Sequence, residues 1–257
     1  MPLTIQAIVC TVDFSPFSPC VVRHGVALAR RAGVRLYLIH AVHDPQDGNG
    51  LPPCLVVSAS HGVSGFRRLF IGTVVERMTR TLNRPMLVVK PTDGVDDDRF
   101  NGFRSAVVGC DSHGHWQRLA PLLPLLQADS ASGIHLVHSM EGPMDKAMVD
   151  SDAASYGQAQ QALQDRLNRQ LREQARRLFL HADQFSIEVS PGVPEEMMLR
   201  IAHERASDMI MVGVRRSGKV GRWISGSTTE ALLRHSPCSV LTVPEPLEQK
   251  NTGGYHQ

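Results

Sequence analysis

The sequence lacks the features that mark several classes of protein. It has no apolar run near the ~18 residues of a membrane-spanning helix, and no charged start followed by an apolar stretch and a cleavage site. Its 27 basic and 25 acidic side chains give a net charge of only +2, which argues against a dedicated nucleic-acid-binding protein. We therefore expect no membrane segment, no signal peptide and no nucleic-acid partner.

Paired cysteines are also missing. The five cysteines are odd in number, scattered, and form no CxxC motif, which excludes zinc-binding and redox motifs of that type. Most of them stand in apolar runs, where a buried and reduced thiol is the expected state. This usage predicts a reducing, cytoplasmic environment.

What remains is the composition of an ordinary globular protein. The chain has 257 residues, of which 42% are hydrophobic and 20% are charged. Such values exclude a disordered chain, a collagen and a coiled coil. The length is sufficient for one or two domains, each with a core that needs no disulfide.

Two stretches of the chain repeat one pattern. An apolar run ends at Asp13, and a second apolar run ends at Asp111, 98 residues further along. The next apolar run of each stretch ends in a histidine, His40 or His138, with the same offset. Two successive features with one offset indicate an internal repeat.

The repeat continues with a larger offset towards the end of each copy. Residues 72–76 match residues 226–230, and the closing apolar runs 86–89 and 240–243 keep the same offset of 154 residues. The second copy therefore contains 56 residues that the first copy lacks. We predict a first domain at residues 1–92, a linker at 93–100, a second domain at 101–247 and a flexible tail at 248–257.

Strands and helices alternate in the second copy, which predicts a parallel α/β sheet. Pro121 and Pro124 predict that the first helix is irregular. Leucines at spacings of three and four residues predict that the helix at 153–181 packs one face on the sheet. The expected strands are 105–110, 134–138, 185–189, 209–212 and 240–243, and the expected helices are 116–128, 153–181, 195–206 and 227–235.

A glycine motif connects the fourth strand of each copy to the next helix. Its spacing is Gly-x2-Gly-x9-Gly-Ser/Thr, and each copy has replaced one glycine. The motif positions are Ala59, Gly62, Gly72 and Thr73 in the first copy, and Gly213, Arg216, Gly226 and Ser227 in the second. With the strands that end in Asp and His, the Gly192–Pro194 turn and Asp208 before the fourth strand, this pattern resembles the universal stress protein family over nearly the whole chain.

The resemblance implies a fold of two tandem, open parallel sheets, similar to the adenine nucleotide α-hydrolases, with strand order 3-2-1-4-5. The first domain would lack its third strand and the adjacent helices, which leaves strand two as an edge. We expect residues 44–53 or a partner to cover that edge. The resemblance also implies that the closing strands pair within the chain and that chains assemble into a dimer or another homo-oligomer.

Ligands of open parallel sheets bind at the carboxyl ends of the strands, where the strand order reverses. Glycines let backbone N–H groups approach phosphate closely, and a helix N-terminus favours an anion. The resemblance implies a stress-response regulator or sensor that binds ATP or another adenine nucleotide, with or without Mg²⁺, in at least one copy. The candidate residues are Asp13, Ala41, Gly62, Gly72 and Thr73, and Asp111, Ser139, Gly213, Arg215, Arg216, Gly226, Ser227 and Thr228.

Several alternatives stay open at this point. Arg216 could block the phosphate position or pair with a phosphate. Because both copies have lost a glycine, the protein could instead be a nucleotide-free interaction or scaffold module with an unidentified protein partner. A slow ATPase is a further alternative, although no general base or set of Mg²⁺ ligands stands out.

Other chemical motifs are weaker. The segment from Gly213 to Val220 reads GxxxxGK, but a P-loop needs Ser or Thr where Val220 stands. His113 and His115 have no third ligand nearby in the sequence, so we expect no metal site. Ser15 lacks a His-Asp partner pattern and is expected to cap the first helix. We assign no catalytic residue.

Overall fold

The nine strands of the described residues join in one sheet, in the order β2-β1-β3-β4-β9-β8-β5-β6-β7. The computed structural model describes residues 4–40, 52–60, 73–90, 100–111, 115–128, 133–140, 153–178, 185–214 and 227–245. The strands are β1 (Ala7–Thr11), β2 (Arg35–Ile39), β3 (Cys54–Ala59), β4 (Met86–Val89), β5 (Ser105–Gly109), β6 (Gly133–Ser139), β7 (Phe185–Ser190), β8 (Met209–Val214) and β9 (Ser239–Pro244).

The sheet consists of two parallel segments that meet at one antiparallel joint. The first half contributes β2-β1-β3-β4, and the second half contributes β9-β8-β5-β6-β7. Counted within the second half, the strands lie in the order 3-2-1-4-5. Strands β4 and β9 pair antiparallel, which is the intrachain contact expected from the two closing runs. The register pairs Met86 with Thr242, Leu87 with Leu241 and Val88 with Val240.

Helices accompany both halves of the sheet. They are α1 (Ser18–Ala32), α2 (Thr73–Thr81), α3 (Leu123–Leu126), α4 (Ala153–Leu178), α5 (Pro194–Glu204) and α6 (Ser227–His235). The helix expected at 116–128 is instead two 3₁₀ turns, His115–Arg118 and Ala120–Leu122, followed by the short α3. Pro121 and Pro124 explain the break, because proline lacks the N–H that a continuous helix requires. None of the described helices is both long and apolar enough to cross a membrane.

The core lies on both faces of the sheet, which explains why the strands read as continuous apolar runs. One face packs against α1, α3 and α4, where Leu171 and Ala175 of α4 are buried. The other face packs against α2, α5 and α6. The predicted inner face of the long helix is therefore confirmed at its two most buried positions.

The two halves also meet away from the β4–β9 joint. The ring of His24 in α1 lies 3.9 Å from the ring of Phe100 and 6.0 Å from that of Phe103, between centroids. Burial lowers the pKa of His24 below its ordinary value. Arg31 of α1 donates hydrogen bonds to the backbone of Asn101 and Gln127. Helix α1 of the first half thus supports the entry into β5.

Three sequence predictions lie outside the described residues. They are most of the linker at 93–100, the tail at 248–257, and residues 44–51 of the segment expected to cover the edge of β2. Among the described residues, β2 pairs only with β1.

Candidate functional site

The strand order of the second half reverses between β5 and β8. Strand β5 pairs with β6 on one side and with β8 on the other, all parallel. The carboxyl ends of these strands therefore lie at one edge of the sheet. Asp111 follows β5, Ser139 ends β6, and Gly213 lies near the end of β8. The structure brings these three predicted residues to the edge at which open parallel sheets bind ligands.

The end of β5 is attached to β6 by a histidine. His138 is buried and donates from Nδ1 to the carbonyl oxygen of Cys110 over 2.9 Å. Since a carbonyl can only accept, the proton sits on Nδ1. The backbone N–H of Cys110 donates in turn to the oxygen of Val137 over 2.8 Å. His138 therefore has a structural role and holds the backbone just before Asp111.

Ser139 connects this edge to the turn before α5. Its hydroxyl donates to the carbonyl oxygen of Gly192. Gly192 has a φ of +144°, a conformation that L side chains rarely adopt. Ser139 therefore lies at this edge, and its hydroxyl holds the turn at Gly192.

A contact that the sequence reading missed joins α5 to α6. The hydroxyl of Thr228, in the first turn of α6, donates to Oε2 of Glu195 over 2.8 Å. Glu195 lies in the first turn of α5, directly after Pro194. The sequence signal is a proline at the first helical position followed by acidic residues. The carboxylate therefore stands at the N-terminus of α6.

The glycine position on β8 borders open space. A Cβ added to Gly213 would meet no heavy atom of the described residues within 4 Å. The same position of the first half is Ala59, which carries a Cβ. Arg215, Arg216, Gly226, Ala41, Gly62 and Gly72 lie outside the described residues. For Thr73, which begins α2, the structure describes only the backbone.

The edge of the first half is organised around Asp13. Its Oδ1 accepts hydrogen bonds from the backbone N–H of Ser15 and the hydroxyl of Ser18, each over 3.0 Å. Partial desolvation acts to raise the pKa of Asp13, but the hydrogen bonds from Ser15 and Ser18 outweigh it, and the pKa is lowered. The carboxylate is therefore already engaged in the turn that leads to α1.

The prediction that Ser15 caps α1 is wrong. The helix begins at Ser18, and its N-cap residue is Phe17, which makes no side-chain capping bond. The hydroxyl of Ser15 instead accepts from the N–H of Phe17 over 3.3 Å. Ser15 therefore stabilises the turn before the helix. Its hydroxyl accepts from Phe17, and its backbone N–H donates to the carboxylate of Asp13.

An exposed aromatic side chain also lies at this edge. Phe14 is 79% exposed and has a φ of +59°, which is uncommon for a residue with a Cβ. Its ring centroid lies 4.5 Å from that of His40. His40 donates from Nδ1 to the oxygen of Val12 over 2.8 Å, so the first half repeats the contact of His138.

Metal ligands are not assembled in the part of the chain that the structure describes. There, no three His, Cys, Asp or Glu side chains are grouped so that they could hold a metal ion. His113 lies outside the described residues, and only the backbone of His115 is described.

Comparisons with known proteins agree with this geometry. The model of the universal stress protein family matches residues 103–244, just over half of the chain. Curated proteins named as universal stress proteins in Staphylococcus aureus, including strain USA300, are 46% identical over 53 residues. Those residues are 20% of this chain and 32% of the relatives, so the match spans about a third of their length.

Two solved structures share the fold over most of the chain. A universal stress protein from Archaeoglobus fulgidus DSM 4304 aligns over 94% of this chain and 99% of its own, with a TM-score of 0.56 and 16% identity. A protein of unknown function from Pseudomonas aeruginosa PAO1 aligns over 94% and 93%, with a TM-score of 0.57 and 14% identity. The similarity extends across both halves of the sheet.

Proposed function

Since the chain belongs to the universal stress protein family, we propose that it regulates a stress response by binding ATP or a related adenine nucleotide. The proposed site lies in at least one of two tandem domains, at residues 1–92 and 101–247. The observation that carries the proposal is that no heavy atom of the described residues lies within 4 Å of a Cβ added to Gly213, beside the point where the strand order reverses.

The second half is the better candidate for the phosphate position. Gly213 leaves room for a phosphate to approach the backbone, whereas Ala59 at the same position of the first half does not have that freedom. Helix α6 begins at Ser227 and directs its first N–H groups towards the same edge.

The proposed roles follow the order of the residues along this edge. Base and ribose would lie near Asp111 and Ser139. The phosphates would lie near Gly213, Arg215, Arg216, Gly226, Ser227 and Thr228. The corresponding residues of the first half are Asp13, Ala41, Gly62, Gly72 and Thr73. Because Glu195 places a negative charge beside Thr228, Mg²⁺ would relieve its repulsion of a phosphate.

Calorimetric titration with ATP, with and without Mg²⁺, tests the proposal. We compare the wild type with Gly213→Val, which places an isopropyl group beside the backbone, and with Ala59→Val, which places the same side chain at the matching position of the first half. We expect Gly213→Val to weaken binding at least tenfold and Ala59→Val to leave it unchanged. Circular dichroism and thermal unfolding check that both variants fold.

Two results would contradict this assignment. Equal binding of ATP by all three proteins would show that the phosphates do not bind beside Gly213. An absence of heat, together with no nucleotide released on acid extraction of the purified protein, would remove nucleotide binding altogether.

A nucleotide-free interaction module is the second candidate, and the contact between Glu195 and Thr228 favours it. The carboxylate of Glu195 accepts from the hydroxyl of Thr228, so an acidic side chain of the chain itself already lies at the N-terminus of α6. Acid extraction separates the two candidates. The slow ATPase has no such observation in the described part of the chain to support it, and we do not propose it.

We also propose a cytoplasmic location and the assembly of chains into a homo-oligomer. All five cysteines are free thiols, which supports a reducing, cytoplasmic location. Assembly of chains into a homo-oligomer rests on the family resemblance. A protein partner would bind the surface of such an assembly.

A further inference from the structure

Four charged side chains connect the helices that flank the joint between the two halves. They are Glu76 and Arg80 on α2, and Glu230 and Arg234 on α6, and we call them the four-charge network. Within each helix, Nη2 of the arginine lies close to Oε1 of the glutamate four residues earlier, at 2.7 Å in α2 and 2.8 Å in α6.

The network also has two contacts that cross from one half to the other. Nη2 of Arg80 lies 3.4 Å from Oε2 of Glu230. Nη2 of Arg234 lies 4.0 Å from Oε2 of Glu76. Each carboxylate therefore faces one guanidinium of its own helix and one of the opposite helix. The glutamates are 154 residues apart, as are the arginines, so the network is built from the same two positions of the repeat.

The side chains of the four-charge network are partly shielded from solvent. The side chain of Glu76 is 28% exposed and that of Arg80 is 46% exposed. Nε of Arg234 is buried and has no hydrogen-bond partner among the described residues. The side chain of Arg234 as a whole is 35% exposed, so its charge pairs are screened somewhat less than pairs on a fully open surface.

The paired strands of the joint are short. Strands β4 and β9 are paired through only three residue pairs, and most of the side chains are apolar. A slip of two residues would keep every side chain on its face of the sheet, and it would move the strands by roughly 7 Å. Hydrogen bonds from the hydroxyl of Thr242 to the oxygen of Met86 and from the N–H of Lys90 to Oγ of Ser239 favour the observed register.

The network distinguishes these registers, because each helix has a short connection to its strand and would be displaced with it. Helix α2 ends at Thr81, shortly before β4, and α6 ends at His235, shortly before β9. Since the crossing contacts are 3.4 and 4.0 Å long, a displacement of roughly 7 Å would break both of them.

We propose that the four-charge network is an interaction surface between the two halves that helps to fix the register of the joint. The partner of the Glu76–Arg80 surface is the matching Glu230–Arg234 surface of the other half. The covalent connection between the halves makes this pairing intramolecular by raising its effective concentration. The inference does not depend on nucleotide binding.

Charge reversal tests the proposal in the full-length chain. We compare the double variants E76R/R80E and E230R/R234E with the quadruple variant that carries all four changes. Each double variant keeps a charge pair within its helix but places like charges across the joint. We expect each to lower the melting temperature by about 4 °C at low ionic strength. The quadruple variant restores opposite charges and should return to within about 1 °C of the wild type.

The matched control is E173R/R177E on α4. This is also a Glu–Arg pair four residues apart on exposed helix positions, and it should leave the melting temperature nearly unchanged. A quadruple variant that loses the sum of both double variants would overturn the proposal, because the effects would then arise within each helix. Unchanged melting temperatures in both double variants would also overturn it.

A second readout follows the register itself. In each double variant we expect faster amide hydrogen exchange in β4 and β9, with protection restored in the quadruple variant. Unchanged exchange in the double variants would show that the register does not depend on the network.

Discussion

The two halves of the sheet place the same leucine in opposite environments. Leu136 of β6 is fully buried, whereas Leu38 of β2, 98 residues earlier in the repeat, is 56% exposed. Leu136 shares a core cluster with Leu171 and Ala175 of α4, and β6 is paired on both sides. The first half lacks the segment that contains α4 and β7. The comparison shows that a strand keeps its apolar residues while its burial depends on neighbours elsewhere in the chain.

One hydrogen bond is the same in both halves. His40 bonds to the oxygen of Val12, and His138 bonds to the oxygen of Cys110, with lengths of 2.8 and 2.9 Å. Both partners are separated by the offset of 98 residues. This contact needs only the first two strands of each half, so loss of the third strand does not disturb it.

Shortening the two leucines gives the largest expected effect. Leu136→Ala leaves a cavity in the closed core and should lower the free energy of unfolding by about 3 kcal/mol. Leu38→Ala removes a side chain that is already more than half exposed and should cost less than about 1 kcal/mol. Urea unfolding measures both. Equal losses would show that Leu38 is covered in solution.

Asp208 tests a contact that only the second half has. Its two carboxylate oxygens accept from the backbone N–H groups of Arg104 and Ser105 over 2.8 and 2.9 Å. The first half has Cys54 at the same position of the repeat. Asp208→Ala leaves two donors at the start of β5 without their partner and should cost about 2 kcal/mol.

The control for this change keeps part of the contact. Asp208→Asn retains one acceptor and should lose about half as much in urea unfolding. Hydrogen exchange of the amides of Arg104 and Ser105 should increase in Asp208→Ala. Unchanged exchange there would mean that the carboxylate does not hold the start of β5.

The smallest expected effect concerns acid and the turn after β1. Asp13 has a lowered pKa because hydrogen bonds from Ser15 and Ser18 outweigh its desolvation. The second half has His113 and Trp116 where the first half has these serines. A carboxyl group with a lowered pKa stabilises the fold above its unfolded-state pKa, and this contribution is lost as the pH falls through its folded-state pKa.

Two variants isolate this contribution. In Asp13→Asn, we expect the melting temperature to fall slightly less steeply below about pH 4 than in the wild type. The difference is small because the side chain of Asp13 is exposed. Ser18→Ala should raise the pKa of Asp13, which carboxyl ¹³C NMR titration measures directly. A pKa that does not change in Ser18→Ala would show that this hydroxyl does not stabilise the carboxylate.

The sequence predicted most of the secondary structure because the relevant signals are local. The expected strands at 105–110, 134–138 and 209–212 and the helix at 227–235 agree with the structure within a few residues. The repeat offsets identified the two closing strands that form the joint. The helix expected at 116–128 is interrupted at Pro121 and Pro124. The prolines predicted an irregular helix, but the 3₁₀ turns that replace it depend on packing.

The candidate site was predicted in part. The repeat motif identified Asp111, Ser139, Gly213, Ser227 and Thr228, which all belong to the edge where the strand order reverses. Their roles in binding, like the division into two domains, stay predictions. Glu195 was missed, because its contact with Thr228 joins residues that are far apart in the sequence.

The sequence by itself predicted the two-copy plan, the order of the elements and the apolar faces, because repeats and periodicity can be recognised without knowing how distant segments pack. Only the tertiary structure decided which copies of these faces are covered, as the contrast between Leu38 and Leu136 shows. It also decided that Glu76 and Arg80 face Glu230 and Arg234. Such pairings depend on how distant segments pack, and no local pattern specifies the distance between them.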